Sequence, residues 1–465
     1  RSLTQPSDVL RARTDPTRGT GLLPLVDEIQ NDTGVNKYIE QINRPRRPSQ
    51  GLRRSSAAWR QGRPGPVMVE IPADIALQDV SEEDFFYQPS KPVLAQGNPQ
   101  DVEAAAQALC QARYPVIHAG QGVLYAGATD QLVELAELLQ VPVMTTLLGK
   151  SGFPEVHPLA LGSGSGVMSG PLYHFMGRAD LVFGIGCSFT KHGMSMNIPP
   201  GKKMIQATND PRDINKDYNI DFPIVGDAKL VLGQMIEACR EIVGRSRETG
   251  DSVTNEIKSE RDAWLNEWRP KLSNAQTPIN PYRIIWDFMQ AVPPEEAIVT
   301  HDSGSPRDQI TPFYRSNGPR TYLGWGKSHG LGTGLGLTIG AKLAQPDKVC
   351  INFMGDAAFG MVGLDFETAV RSNIPIITVV LNNSTMAVET TAMADSHRLY
   401  NTRDLGGDYA DMGRAMGGYA ERIEDPAHII QAFQRARRVT EDEGKAVLLE
   451  FITSAETEKS HGRAF

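Results

Sequence analysis

Cysteine is scarce in this 465-residue chain, and the four that occur, Cys110, Cys187, Cys239 and Cys350, lie far apart. Such spacing excludes a disulfide framework and offers no metal-binding pair; three of them fall in apolar or helical runs and read as reduced core thiols. No run of about 18 apolar residues is present, so no membrane-spanning helix and no membrane partner is expected. Dense basic blocks are missing as well: 55 acidic against 47 basic residues give a net charge of −8. The nearest to a basic cluster, Arg44 to Arg47 with Arg53 and Arg54, reads as a solvated loop, and no nucleic-acid partner is expected. The chain also lacks an initial methionine, opening at Arg1 in a polar, arginine-rich stretch. It therefore reads as a fragment or a processed form, with a cytoplasmic location expected and an upstream organelle-targeting segment left open.

What is present is length enough for two or three domains with proper cores. The most informative stretch runs from Lys348 to Val388. Val349 to Met354 and Ile376 to Leu381 are nearly all apolar, as strands of a parallel sheet covered on both faces should be. Between them lie a turn at Gly355-Asp356-Ala357-Ala358 and a run to Arg371 in which Phe359, Val362, Phe366 and Val370 recur at helical spacing. A strand, helix, strand unit crosses over right-handed, so both strands point the same way and their carboxyl ends meet at one rim. Asp356 follows the first strand and Asn383 the second, 383 − 356 = 27 residues later. An anionic and an amide oxygen can then converge on one hard cation, with a phosphorylated ligand and water completing its shell. Free N–H groups at the start of the helix suit the phosphate. Read singly, Asp356 is equally well a helix cap and Asn382-Asn383 a loop; the combination at this spacing favours a site.

The combination resembles the diphosphate motif of thiamine diphosphate enzymes, Gly-Asp-Gly followed further on by Asn-Asn, which stands here as Gly355-Asp356-Ala357 and Asn382-Asn383. The resemblance implies thiamine diphosphate and Mg²⁺ as cofactors, with Asp356, Asn383 and the backbone carbonyl of Thr385 as metal ligands. It also implies Gly304, Ser305, Gly355, Ala357, Ala358 and Met386 against the cofactor, and Leu331 as the apolar residue supporting it from beneath. Ala357 replaces the third glycine of the motif and fits if its φ stays negative.

The resemblance extends along the chain to acetolactate synthase-like members. Gly62-Arg-Pro-Gly-Pro-Val67 and the strand Val67 to Ile71 resemble the end of a pyrimidine-binding domain, preceded by a Thr-x-x-x-Lys pattern ending at Lys37. Thr145 to Pro158, Ala179 to Gly186 and Ile224 to Lys229 resemble the central domain. The fold implied is α/β, three doubly wound parallel-sheet domains with the first incomplete: residues 1–78, 92–245 and 279–465. The Gly-x-Gly at Gly120 and Gly122 departs from the dinucleotide fingerprint, and a tight strand-to-helix turn explains it. Cys187 to His192 stands where several FAD-binding members carry an arginine-rich turn; FAD stays open for the central domain and is not predicted. The stripe Val253, Ile257, Trp264 and Trp268 reads as a linker helix docked on a neighbouring domain. Glu389 to Asp408 reads as a polar loop over the site.

Catalytic residues are less legible. The family's ring-end glutamate has no match, since Glu28 falls too late in the pattern and Glu70 lies in a terminal strand. His329 is a candidate for a substrate role, and His301 beside Asp302 a weaker one for acid–base work. The activity implied is decarboxylation of a small-molecule 2-oxo acid with carboligation, in a homodimer or homotetramer. The alternatives are a 2-hydroxyacyl-CoA lyase, a 2-oxo acid decarboxylase or a diketone hydrolase of the same family, and a non-catalytic cofactor-binding homologue. A plain dinucleotide dehydrogenase would need a better glycine fingerprint and leaves Asp356 and Asn383 unexplained.

Overall fold

The computed structural model of the chain describes residues 8–13, 29, 32–84, 86–244, 251–326, 330–388 and 393–462. Three sheets, every pair of neighbouring strands parallel, follow one another along the chain. The first has three strands in the order β1 (Asp8–Arg13), β3 (Val67–Pro72), β2 (Tyr38–Gln41). The second has the order β6 (Ala160–Gly164), β5 (Val143–Thr146), β4 (Pro115–Ala119), β7 (Leu181–Ile185), β8 (Lys203–Thr208), β9 (Phe222–Val225). The third has the order β11 (Tyr322–Leu323), β10 (Ala297–His301), β12 (Val349–Gly355), β13 (Ile377–Asn382), β15 (Val447–Ile452), β14 (Tyr419–Ile423).

Parallel strands require crossovers, and the helices between them cover both faces of the sheet. In the third sheet the two faces bury separate cores, and β12 feeds both because its side chains alternate. Val349, Ile351 and Phe353 join Phe288, Phe433 and Phe451 on one face, whereas Cys350 and Met354 join Leu335, Phe359 and Phe366 on the other. The linker stripe behaves as expected. It forms the helix Ser252–Leu272, with Ile257 in the core of the second sheet and Trp264 and Trp268 in that of the third.

Several local expectations need correction. The turn at 355–358 is itself helical: helix Asp356–Val362 starts directly from β12, and the run then breaks at Gly363 and Leu364 before Asp365–Arg371. Gly363 (φ −57°, ψ −23°) and Leu364 (φ −63°, ψ −22°) keep right-handed dihedrals, but the bonding tightens there, the Phe366 N–H reaching Gly363 O at 3.0 Å. The glycine-bearing stretch after β4 holds a short helix, Gln121–Ala126. Within Glu389 to Asp408, read as a loop, Ala394–Tyr400 is helical, while 389–392 lie outside the described residues. Gly120 and Gly122 are packing glycines: a Cβ on them would lie 2.2 Å from Gly186 O and 2.7 Å from Gly186 Cα.

Candidate active site

Strand order decides where the third sheet can bind a ligand. From β10 the chain runs outward to β11 and returns to β12 on the other side, so the order reverses between β10 and β12. The helices that leave these strands go to opposite faces. Ser305–Phe313, after β10, buries Ile310 and Phe313 in one core, and Asp356–Val362, after β12, buries Ala358 and Phe359 in the other. Open parallel sheets bind ligands in the crevice that such divergence leaves at the strands' carboxyl ends.

A cleft of about 580 Å³ occupies this crevice. Gly304, Ser305, Leu331, Gly355, Asp356, Ala357, Ala358, Asn383, Thr385 and Met386 all line it, so the structure brings the described cofactor and metal candidates together. His329 lies outside the described residues. Pro281, Ser303, Gln309, Thr453 and Ser454 also line the cleft and were not anticipated. Thr453 and Ser454 follow β15, and only knowledge that β15 neighbours β13 would have placed them there.

Asp356 is buried, and its two carboxylate oxygens are treated differently. Oδ1 accepts the N–H of Ala357 at 2.8 Å, while Oδ2 has no hydrogen-bond partner. Burial pushes the carboxyl above its ordinary value, and the N–H groups of Ala357 and of the 383–385 turn pull part of the way back. A buried carboxylate oxygen without a donor is costly unless something else meets it.

The turn after β13 is built to hold that position. Ser384 adopts φ 56°, a left-handed conformation that a non-glycine residue keeps only under local restraint. Asn382 provides it: its Oδ1 accepts the N–H of Ser384 at 3.0 Å and the Ser384 hydroxyl at 3.1 Å. Asn382 is fixed in turn by donating to the buried Glu450 carboxylate at 2.7 Å, whose other oxygen accepts the Ala410 N–H at 2.9 Å. Asn383 Oδ1 accepts the Thr385 N–H at 3.1 Å, and the Thr385 carbonyl accepts the Ala387 N–H at 2.9 Å, which leaves each oxygen a second lone pair.

The opposite wall presents backbone. Gly304 has φ 91° and open space where a Cβ would be, and Gly355 has only Pro306 Cγ at 3.9 Å, so a ligand can approach the main chain closely at both. Asp302 has a positioning role. Its carboxylate accepts N–H groups from Ser303 (2.8 Å), Gly332 (2.9 Å) and Gly334 (3.0 Å), which clamps the turn carrying Leu331 into the cleft. His301 is buried outside the cleft, packed beside Tyr322, and burial pushes it down to about 4, so it is neutral at neutral pH. Glu70 is buried in the first sheet, where it accepts a bond from Gln41 at 3.1 Å, and does not line the cleft.

Two family models match the chain: "Thiamine pyrophosphate enzyme, central domain" over residues 102–235, and "Thiamine pyrophosphate enzyme, C-terminal TPP binding domain" over residues 302–451, which contain the cleft's Asp356 and Asn383. A probable acetolactate synthase large subunit of Methanocaldococcus jannaschii is 30% identical over 421 residues, covering 86% of this chain and 69% of the relative. The chain belongs to the thiamine pyrophosphate enzyme family. A probable acetolactate synthase large subunit of Methanococcus aeolicus is 31% identical over 400 residues, or 81% of this chain and 65% of the relative. A sulfoacetaldehyde acetyltransferase of Alcaligenes xylosoxydans xylosoxydans is 27% identical over 422 residues, 84% of this chain and 69% of the relative. The chain thus spans about two thirds of the length of these relatives. Among solved structures, benzoylformate decarboxylase from Polynucleobacter necessarius shares the fold with a TM-score of 0.78 at 20% identity, over 97% of this chain and 82% of that one. For a thiamine pyrophosphate enzyme, a cleft lined by Asp356, with its unpartnered carboxylate oxygen, and by Asn383 and Thr385 offers a fitting set of oxygen donors.

Proposed function

We propose that the chain catalyses thiamine diphosphate- and Mg²⁺-dependent decarboxylation of a small 2-oxo acid with transfer of the remaining carbon unit to a carbonyl acceptor, in the manner of an acetolactate synthase. The observation that carries the proposal is the unpartnered, buried Oδ2 of Asp356, facing the cleft beside Asn383 and Thr385 at the reversal point of the sheet. These three residues supply hard oxygen donors only, which suits Mg²⁺ and leaves room for diphosphate oxygens and water in its shell. No group of three or more His, Cys, Asp or Glu side chains suited to a metal occurs among the described residues, so a cation here depends on amide, carbonyl and ligand oxygens.

Bound thiamine diphosphate supplies the electron sink for breaking a carbon–carbon bond beside a carbonyl. The chain's own groups do the rest. Asp356, Asn383 and Thr385 hold the metal end, the main chain at Gly304, Ser305, Gly355, Ala357 and Ala358 lies along the diphosphate, and Leu331, fixed by the Asp302 clamp, supports the ring. Met386 and the turn after it close one side of the cleft.

Among the described residues, Asp356 is the only acidic side chain lining the cleft. The proposal therefore places the ring-end carboxylate on a second copy of the gene product, as a homodimer or homotetramer, or on residues outside those described. The same observation favours a second reading, a cofactor-binding homologue without turnover. Calorimetric titration of thiamine diphosphate with Mg²⁺ into the full-length gene product, with Asp356→Ala alongside and a CO₂-release assay on a panel of 2-oxo acids, separates the two. Binding that the variant abolishes, together with CO₂ release, is the expected result. Binding without CO₂ release selects the second reading, and no binding to the unmodified protein overturns both.

A further inference from the structure

Away from the cofactor cleft, a second cavity opens where three parts of the molecule meet: edge strand β6 of the middle sheet, the linker helix Ser252–Leu272, and helices Pro281–Ala291 and Ser305–Phe313 of the third unit. Its volume is about 320 Å³, in the range of small-molecule sites. Leu161, Trp264, Leu265, Trp286, Met289 and Phe313 make its walls apolar, and Trp264 is stacked on Phe313 at 4.7 Å.

Two cations line this mainly apolar cavity. Arg261, on the linker helix, donates to the carbonyl of Ala160, and Arg315, just past helix Ser305–Phe313, donates to the carbonyl of Glu155 at 2.9 Å. Both acceptors are neutral. Among the described residues neither guanidinium has a carboxylate within ion-pair distance; the carboxylate that also lines the cavity, Glu155, is committed elsewhere. Its Oε1 accepts from Ser163 at 3.0 Å, and its Oε2 from Lys150 and from the Ser316 N–H (2.9 Å) and hydroxyl (3.0 Å). Burial pushes Arg261 down to about 10 and lowers Arg315 as well; the like charge of Arg315 adds to the effect on Arg261, while Glu155 opposes it at both arginines and Asp262 at Arg261. Lys150, Arg261 and Arg315 thus share one buried carboxylate, Glu155, and one further anion between the two guanidiniums would offset the excess positive charge.

We propose that this junction cavity binds a small carboxylic acid with an apolar or aromatic body, its carboxylate held by Arg261 and Arg315 and its body against Trp264, Trp286 and Met289. Arginine's planar fork suits a carboxylate, and the flat indoles suit the body. Because the arginines belong to different elements, an occupant ties the linker helix to the third unit. Neither arginine lines the cofactor cleft, so the proposal stands or falls apart from the function proposed above.

The test uses 3-phenylpropionate as probe and uncharged 3-phenylpropanol as its control on the full chain, read by tryptophan fluorescence and by melting temperature. Saturable quenching and a raised melting temperature are expected with the acid. Binding should weaken about tenfold with the alcohol and in Arg315→Gln, the loss of one charge-assisted interaction. Arg261→Gln, on a separate helix, gives a second variant should the first melt early, with the same loss expected. Asp356→Ala should leave probe binding unchanged. Equal binding of acid and alcohol, unchanged binding in both arginine variants, loss of binding in Asp356→Ala, or no saturable binding at about 10 mM probe would each overturn the proposal.

Discussion

The second and third sheets each have six parallel strands and a reversal of strand order, and each carries a cavity at its carboxyl rim, but the two cavities are walled differently. In the second, the loop after β4 presses its glycines into the loop after β7: Gly186 takes φ 60°, and a Cβ there would lie 2.8 Å from Gly122 Cα. His118 in β4 is buried edge-on to Phe189, and burial alone pushes it down to about 4. In the third, Asp356 Oδ2 is left, among the described residues, as an acceptor with no partner. The architecture supplies a rim cavity in both cases, and each holds, among the described residues, a buried polar atom without a partner; in the second it belongs to the neutral ring of His118, in the third to the carboxylate of Asp356, and only the carboxylate suits a hard cation.

The comparison can be broken most forcefully at the joint between the two units. Lys150 is fully buried and donates to Glu155, to the Thr311 carbonyl at 3.2 Å and to the Tyr314 carbonyl at 2.7 Å, crossing from one unit to the other. Lys150→Met leaves Glu155 charged and buried, and should lower unfolding free energy by ~3–5 kcal/mol in a denaturant titration. If only one of two transitions moves, the units are less coupled than this joint implies.

Gly186→Ala sharpens the contrast from the second sheet. A strained left-handed alanine colliding with Gly122 should cost ~1–3 kcal/mol, with thiamine diphosphate affinity per folded molecule unchanged. A parallel loss of affinity would mean that the two rims communicate.

From the third sheet, Asp356→Asn should stabilise the cofactor-free protein at neutral pH by ~1 kcal/mol, since it removes a buried, half-partnered charge, while abolishing cation-dependent cofactor binding. The pH dependence follows from burial raising this carboxyl. The folded chain holds the proton more tightly than the unfolded one, so the stability Asp356 contributes is present below its unfolded pKa and is lost as pH rises through the raised folded value. Thermal melts across this window should flatten in the variant. Cation binding runs the other way, weakening as pH falls through the same value. The smallest effect is expected for Ala357→Gly. Ala357 is absent from the positive-φ positions and sits in a helix, so glycine should cost ~0.5–1 kcal/mol in melting experiments and improve binding not at all.

The central strands and their rim were legible because fully covered parallel strands are continuous apolar runs, and because Asp356 and Asn383 each follow one directly. What escaped depends on neighbours distant in sequence. Glu450 reads as an interruption in the apolar strand β15, and only the pairing of β13 with β15 shows it holding Asn382. Gln309, Thr453 and Ser454 reach the cleft through strand order, which no local pattern encodes. The break at Gly363 is a local tightening of the hydrogen bonding to i→i+3, which the spacing of Phe359, Val362 and Phe366 does not reveal. His301 beside Asp302 suggested a pair, but β10 buries the ring outside the cleft while the loop turns the carboxylate to Gly332 and Gly334.

Helix Ser252–Leu272 has a practical consequence for recombination. Its first half carries Ile257 into one core and its second half carries Trp264 and Trp268 into another, and Gly170 meets it so closely that a Cβ there would lie 2.5 Å from Trp264 Cβ. A chimera that takes its middle unit from one parent and its last unit from another therefore has no neutral seam inside this helix. A join before Ser252 exchanges the Ile257 contact, and a join after Leu272 exchanges the tryptophan contacts. The choice of seam decides which of the two cores must be redesigned.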